Sequence, residues 1–263
     1  MKVKDFNQYV LKLKQSVGGP GTLNPDEGLL LGSPETEVKG VFTSWMGNVD
    51  ALQKTGAAGC NLAVVHETFY FHPREWAGGL QPQHLTWRAP RRRIEAAERN
   101  GLSVFRLHGT LDLICIYDDF ALALGIKDVK LNAGWDRVFP IEETTVGELV
   151  ERVKRIFRLE RVRMTGDANR RVRCVGLPWG GLALDSNLSY MQRCIELGAD
   201  CLVAGEADEY GFTFAADADV PLIETGHFVS ESIGMTHFAR RLAKDFPGLK
   251  TVAYEDRRPF EYR

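Results

Sequence analysis

Three apolar runs in this chain end in a histidine with an acid beside it or one helical turn further on. CNLAVVHE ends in the adjacent pair His66 and Glu67, SVFRLHGTLD places Asp112 four residues after His108, and VPLIETGHFVSE places Glu231 four residues after His227. Imidazole nitrogen and carboxylate oxygen are the ligand types of zinc, manganese and iron, and the one cysteine in these runs, Cys60, lies six residues before His66. The implied chemistry is metal-assisted. A single strand-end histidine is more often a hydrogen-bonded structural residue, and a first-turn acid more often a helix cap or dipole partner. That reading fits Asp112 and Glu231 one at a time, each preceding a helical segment, but it does not account for three repetitions at equivalent element ends. His66-Glu67 is not a zincin helix, because H-E-x-x-H needs a histidine where Tyr70 stands. His72, His84 and His237 lack such a context and are expected in loops or on the surface, His84 being the one nearest to a ligand.

The elements that must carry these residues alternate between strand-like and helix-like segments. VKGVFTSW (38 to 45) is β-rich, DALQKTGAAG (50 to 59) reads as a helix closed by glycine, and NLAVVHE (61 to 67) is a buried-strand run. RRRIEAAERNG (91 to 101) predicts a helix, LSVFRLH a strand, and Asp112 to about Leu124 a second helix. The rhythm returns with strand 172 to 177, helix 187 to 199, strands 200 to 206 and 220 to 227, and helix 232 to 246. Two related α/β lobes are therefore expected, residues 1–130 and 131–263. The letters repeat too: ALQKTGAAGCNLAVVHE and MQRCIELGADCLVAGE each close a helix in Gly-Ala, step into four apolar residues and align Glu67 with Glu206. A pseudo-twofold pair of lobes puts the metal site between them, at the carboxyl ends of the strands, where open parallel sheets bind ligands.

Composition narrows the classes. With 263 residues, 44% hydrophobic and 26% charged, the chain can bury a sizeable core, and a formal net charge of -2 gives no global case for nucleic acid or an anionic membrane. MKVKDFNQYVLKLKQSVGG has no signal-peptide core and no stretch approaches the ~20 apolar residues of a membrane span, so a cytoplasmic protein is expected. Five cysteines, odd in number and without a C-x-x-C pair, read as reduced core thiols. GGLALD is more simply a tight connection than a phosphate turn. The arginine-rich segment 151 to 173, interrupted by acids, reads as a solvated face, as does RAPRRR. HPREWAGGLQPQHLTW (72 to 87) follows His66-Glu67 directly and is expected to form a lid over the site.

NPDEGLLLGSPETEVKGVFTSW, GAAGCNLAVVHE, LHGTLD and IETGHFVSESIGMTHFARRLAKDF resemble, in order, the successive blocks of the dinuclear-metal-centre hexameric proteins. This is the NIF-three-like family, also labelled GTP cyclohydrolase 1 type 2 homologues, and the resemblance runs over roughly residues 20 to 262. It implies a homohexamer with two divalent ions (Zn, Mn or Fe) per chain, held by His66, Glu67, Asp112, His227 and Glu231, with His108 beside them. It also implies a short form without the domain inserted between lobes in longer members. The chain departs from the family pattern at Glu67, where a second histidine is usual, at Glu27, where asparagine is usual, and at EADEYGF, which lacks a histidine after the second-lobe Gly-Glu. An oxygen ligand at Glu67 tilts the site toward oxygen-preferring ions such as manganese or iron. The expected function is metal-dependent hydrolysis of a small phosphorylated or nucleotide-like substrate, with His108 or Glu67 as catalytic proton acceptor. The alternative is a non-catalytic metal-binding or regulatory hexameric scaffold.

Overall fold

The computed structural model describes residues 1–71, 81–255 and 260. The chain divides into two compact units, Met1–Ile114 with Met235–Arg263, and Cys115–Gly234. Each is a five-stranded mixed sheet with helices.

The first unit runs through α1 (Val3–Ser16), β1 (Gly28–Leu31), β2 (Gly40–Ser44), α2 (Val49–Ala57), β3 (Leu62–Val65), α3 (Arg88–Arg99), β4 (Ser103–Arg106) and the short α4 (Gly109–Leu111); it also contains β10 (Lys250–Ala253). Its strand order is β1-β4-β3-β2-β10, with β1 antiparallel and the rest parallel. Every residue of β2, β3 and β4 is buried, as expected of central parallel strands, so hydrophobic runs replace alternation there. Asn48 caps α2 by accepting the Ala51 N–H, and Gly59, at φ +70°, turns the chain out of it. Leu52, Ala63, Val65, Phe69, Ala96, Ala97, Leu102 and Val104 form the core between α2, α3 and the sheet.

The second unit runs through α5 (Tyr117–Ala123), β5 (Phe139–Thr145), α6 (Val146–Phe157), β6 (Arg163–Thr165), β7 (Arg171–Gly176), α7 (Leu188–Glu196), β8 (Cys201–Ala204), α8 (Glu209–Asp217) and β9 (Leu222–Glu224), then into α9 (His227–Asp245). Its order is β5-β7-β8-β9-β6, with β7, β8 and β9 parallel. Its core gathers Met191, Cys194, Leu202, Ala204, Ala215 and Leu222. The two topologies match in four of their five strands, while β10 runs parallel to β2 and β5 antiparallel to β7. In each, three parallel strands follow one another through helices, and the strand that precedes them pairs antiparallel with the third, β1 with β4 and β6 with β9. The repeat seen in the letters is a repeat of architecture.

Two boundaries differ from the sequence pattern. α9 begins at His227 rather than near residue 232, so Glu231 lies inside the helix rather than before it. The segment after His108 is helical from Gly109, passes through a π-helical turn at Asp112–Ile116 and only then becomes α5. Such single π turns insert a residue into the helix and are frequent at functional sites.

The five cysteines are free, and burial pushes the Cys194 thiol up to about 11 and that of Cys201 to about 12, as suits inert core thiols. Among the described residues no helix is long and apolar enough to cross a membrane.

Candidate metal centre

In the first unit the turn after β3 is held on every side. The N–H groups of His66 and Glu67 both donate to the Trp45 carbonyl, at 3.1 and 2.7 Å, and Arg106 Nε donates to the His66 carbonyl at 3.0 Å. Arg93, buried on α3, donates to the carbonyls of Thr68 and Phe69; burial without a charged partner in these bonds lowers its pKa to about 10. The chain therefore leaves β3 in one conformation, with His66 fully buried.

The turn after β4 is built around Glu27. Its Oε1 accepts the His108 and Thr110 N–H groups, both at 2.7 Å, while Oε2 accepts the Thr110 hydroxyl and the Asn24 N–H. These amides open α4, where no intrahelical acceptor exists, so a carboxylate from a distant loop does the work of an N-cap. Lys14, buried on α1, donates to the Thr22 carbonyl and to Asn24 Oδ1, fixing the loop that brings Glu27 in.

These turns bring His66, His108 and Asp112 together, with one donor atom from each inside a span of 4.8 Å. His66 Nδ1–H donates to the Leu107 carbonyl at 3.0 Å and His108 Nδ1–H to Asp26 Oδ2 at 2.9 Å. A carbonyl or carboxylate has no proton to give, so Nδ1 carries a proton in both rings. The other ring nitrogens face oxygen: His66 Nε2 lies 3.9 Å from Asp112 Oδ1, and His108 Nε2 3.9 Å from Glu67 Oε1.

The second unit repeats the device. His227 Nδ1–H donates to Glu206 Oε2 at 3.0 Å and Nε2 lies 3.2 Å from Glu231 Oε2. Gly180, at φ +53°, packs so tightly on Glu231 that a Cβ there would collide with the carboxylate. Its N–H is taken by Ser230 Oγ at 2.9 Å, so the glycine-rich turn serves as a tight connection beside His227 and Glu231 rather than as a phosphate cradle.

Three imidazoles thus have Nδ1 fixed on oxygen and Nε2 turned toward a carboxylate, which is how proteins prepare histidine for a metal. Two donors about 2.1 Å from one ion stand roughly 3.0–3.4 Å apart. The His227–Glu231 spacing meets this directly, and the two 3.9 Å spacings meet it within a small side-chain rotation. The donor set fits a divalent ion.

Sequence reasoning did not single out Asp26 or Glu206 as site residues, though the repeat that aligns Glu206 with Glu67 was a signal for the latter. Glu27, noted only as a departure from a family pattern, is an organising residue. His84 is buried rather than in a surface loop, and its Nδ1 accepts the Gln81 N–H to cap a short 3-10 turn. The stretch 72–80, which carries His72 and most of the expected lid, lies outside the described residues.

Asp26 offers a pH test. The His108 hydrogen bond, and then the Arg106 guanidinium, hold its carboxyl down at about 2 against an ordinary 3.8. A depressed acid stabilises the fold fully above its unfolded pKa and loses that contribution as pH falls toward the folded one. Asp26→Asn is expected to be less stable than the native chain at pH 5, with the difference closing between pH 4 and pH 2, as urea unfolding at successive pH values would record.

A profile of the Duf34/NIF3 (NGG1p interacting factor 3) family matches residues 23–259. A curated relative from Clostridium acetobutylicum, named GTP cyclohydrolase 1 type 2 homolog, is 23% identical over 229 residues, 82% of this chain and 80% of its own. One of the same name from Lactococcus lactis is 24% identical over 213 residues, 78% of each chain. Among solved structures, a Bacillus cereus protein related to NIF3 superposes with a TM-score of 0.80 at 14% identity, covering 97% of this chain and 98% of its own, which establishes the common fold. With the profile spanning nearly all of both units, the chain belongs to the Duf34/NIF3 family.

Proposed function

We propose that this protein binds two divalent metal ions per chain, through His66, Glu67 and Asp112 of the first unit and His227 and Glu231 of the second, and hydrolyses a small phosphorylated or nucleotide-like substrate. The observation that carries the reading is the orientation of three imidazoles, each with Nδ1 held on an oxygen and Nε2 directed at a carboxylate oxygen. Three carboxylates against two imidazoles make an oxygen-rich set, which favours manganese or iron over zinc. When bound, such an ion supplies Lewis acidity and lowers the pKa of a water ligand toward about 7.

The chain's own contribution is placement and proton transfer. His66 and Asp112 are enclosed, while Glu67 and the more open His108 lie at the accessible edge, with side chains 14% and 38% exposed. His108, steadied by Asp26, takes the proton released in hydrolysis, or Glu67 does where it is not itself a ligand. The names carried by the curated relatives support a GTP cyclohydrolase 1 type 2-like reaction, and the family resemblance supports a homohexamer. Buried free thiols accord with a cytoplasmic setting.

The burial of His66, Asp112 and Glu231 also supports a second reading, a metal-binding or regulatory scaffold without turnover. Elemental analysis of protein purified from metal-replete cells, followed by assay of the loaded protein on a nucleotide and phosphoester panel, separates the two. Two ions per chain with hydrolysis of one substrate class is the expected result. Two ions without turnover would favour the scaffold, and fewer than one ion per chain would overturn both.

A further inference from the structure

We infer that Glu206 is a positioning residue for His227, a carboxylate that fixes the imidazole with Nε2 turned toward Glu231. The inference rests on the metal-binding reading above and adds to it a residue outside the proposed ligand set. Glu206 follows β8 as Glu67 follows β3, and the two units share one topology, so these are equivalent positions in the repeat. The repeat has diverged at this point in an informative way. In the first unit Asp26 occupies Nδ1 of His108, and Glu67 faces the opposite nitrogen at 3.9 Å. In the second unit Glu206 itself takes Nδ1 of His227, at 3.0 Å. One strand-end glutamate faces the donor nitrogen; its counterpart holds the ring from behind.

The backbone around Glu206 is built to keep it there. Its N–H donates to the Gly180 carbonyl at 2.7 Å, the Gly205 N–H donates to the Pro178 carbonyl at 2.9 Å, and the Gly226 N–H donates to the Gly205 carbonyl at 2.7 Å. The turns that carry Gly180, Glu206 and His227 are thereby tied into one frame, and Gly180 rests against the Glu231 carboxylate. An anionic partner on Nδ1 does more than orient the ring: it raises the basicity of Nε2 and so strengthens a metal bond made there. A neutral carbonyl, such as Leu107 offers to His66, orients with less electronic effect.

The test has two readouts. In the metal-free protein, nitrogen-15 NMR of His227 should show Nδ1 protonated, and in Glu206→Ala partial loss of that proton at the same pH. On titration with Mn2+, Glu206→Ala is expected to bind at the affected position about 10- to 100-fold more weakly than the native chain. Glu206→Gln, which retains an oxygen acceptor without the charge, should keep the Nδ1 proton and fall between the two in affinity. Circular dichroism checks the fold, and if the alanine variant fails to fold the glutamine variant decides by its affinity. A native His227 with no proton on Nδ1, or variants that bind Mn2+ as tightly as the native chain, would overturn the inference. If the native chain binds no Mn2+, it is the metal reading that fails, and the Nδ1 proton of His227 still decides whether Glu206 holds the ring.

Discussion

In an Asp112→Ala variant, divalent-metal affinity falls by more than about 100-fold and hydrolytic activity falls with it, beyond the 10- to 100-fold typical of residues that only support a ligand. The size follows from what Asp112 faces. It is 8% exposed and sits in the π turn with Oδ1 opposite Nε2 of a fully buried His66. Removing the carboxylate takes away negative charge and an oxygen donor. Stability of the metal-free protein should change far less, because the burial of a carboxylate is itself costly. Loss of metal affinity without a matching loss of stability distinguishes a ligand from a structural acid. Isothermal titration with Mn2+ and thermal melting of the metal-free forms measure both. Unchanged affinity, or unchanged turnover in the metal-loaded variant, would remove Asp112 from the site.

The parts of this site that the sequence displayed are those built by local periodicity. The apolar runs LAVV and SVFR are β3 and β4, their last residues lead straight to His66 and His108, and the four-residue spacing of His108–Asp112 and His227–Glu231 is one turn of helix. What stayed hidden was built by distant partners. β1 and β6 are short and gain their place only by antiparallel pairing with β4 and β9, which no local pattern announces. The early start of α9 was obscured because His227 follows Gly226, at φ +107°, where strand and helix signals run together. Glu27 acts on amides 81 and 83 residues further along the chain, and Asp26 on a ring 82 residues away. Capping by a remote loop leaves no spacing to read. Glu206 lies between these cases, since its alignment with Glu67 was visible while its role required the distance to Nδ1.

Gly205→Ala is expected to be among the most damaging single methyl additions in the second unit. A Cβ there would fall inside van der Waals contact with both the amide nitrogen and the carbonyl oxygen of Gly180 and within 2.6 Å of Ser230 Oγ. Two of these three neighbours are backbone, so no rotamer change relieves the clash, in contrast to Gly21, where the obstacle is the tip of the Gln15 side chain. Overpacking that moves backbone costs about 1–3 kcal/mol and sometimes more, and this position belongs at the upper end because three turns share its hydrogen bonds. Displacing Gly180 also shifts the backbone that packs on Glu231, so metal affinity should fall together with stability. The pairing of losses is the diagnostic: Asp112→Ala separates affinity from stability, whereas Gly205→Ala couples them through one frame. Urea unfolding with and without Mn2+ reads both quantities, and a Gly205→Ala protein of native stability would mean that the Pro178–Gly180 and Gly205–Glu206 turns can part without cost.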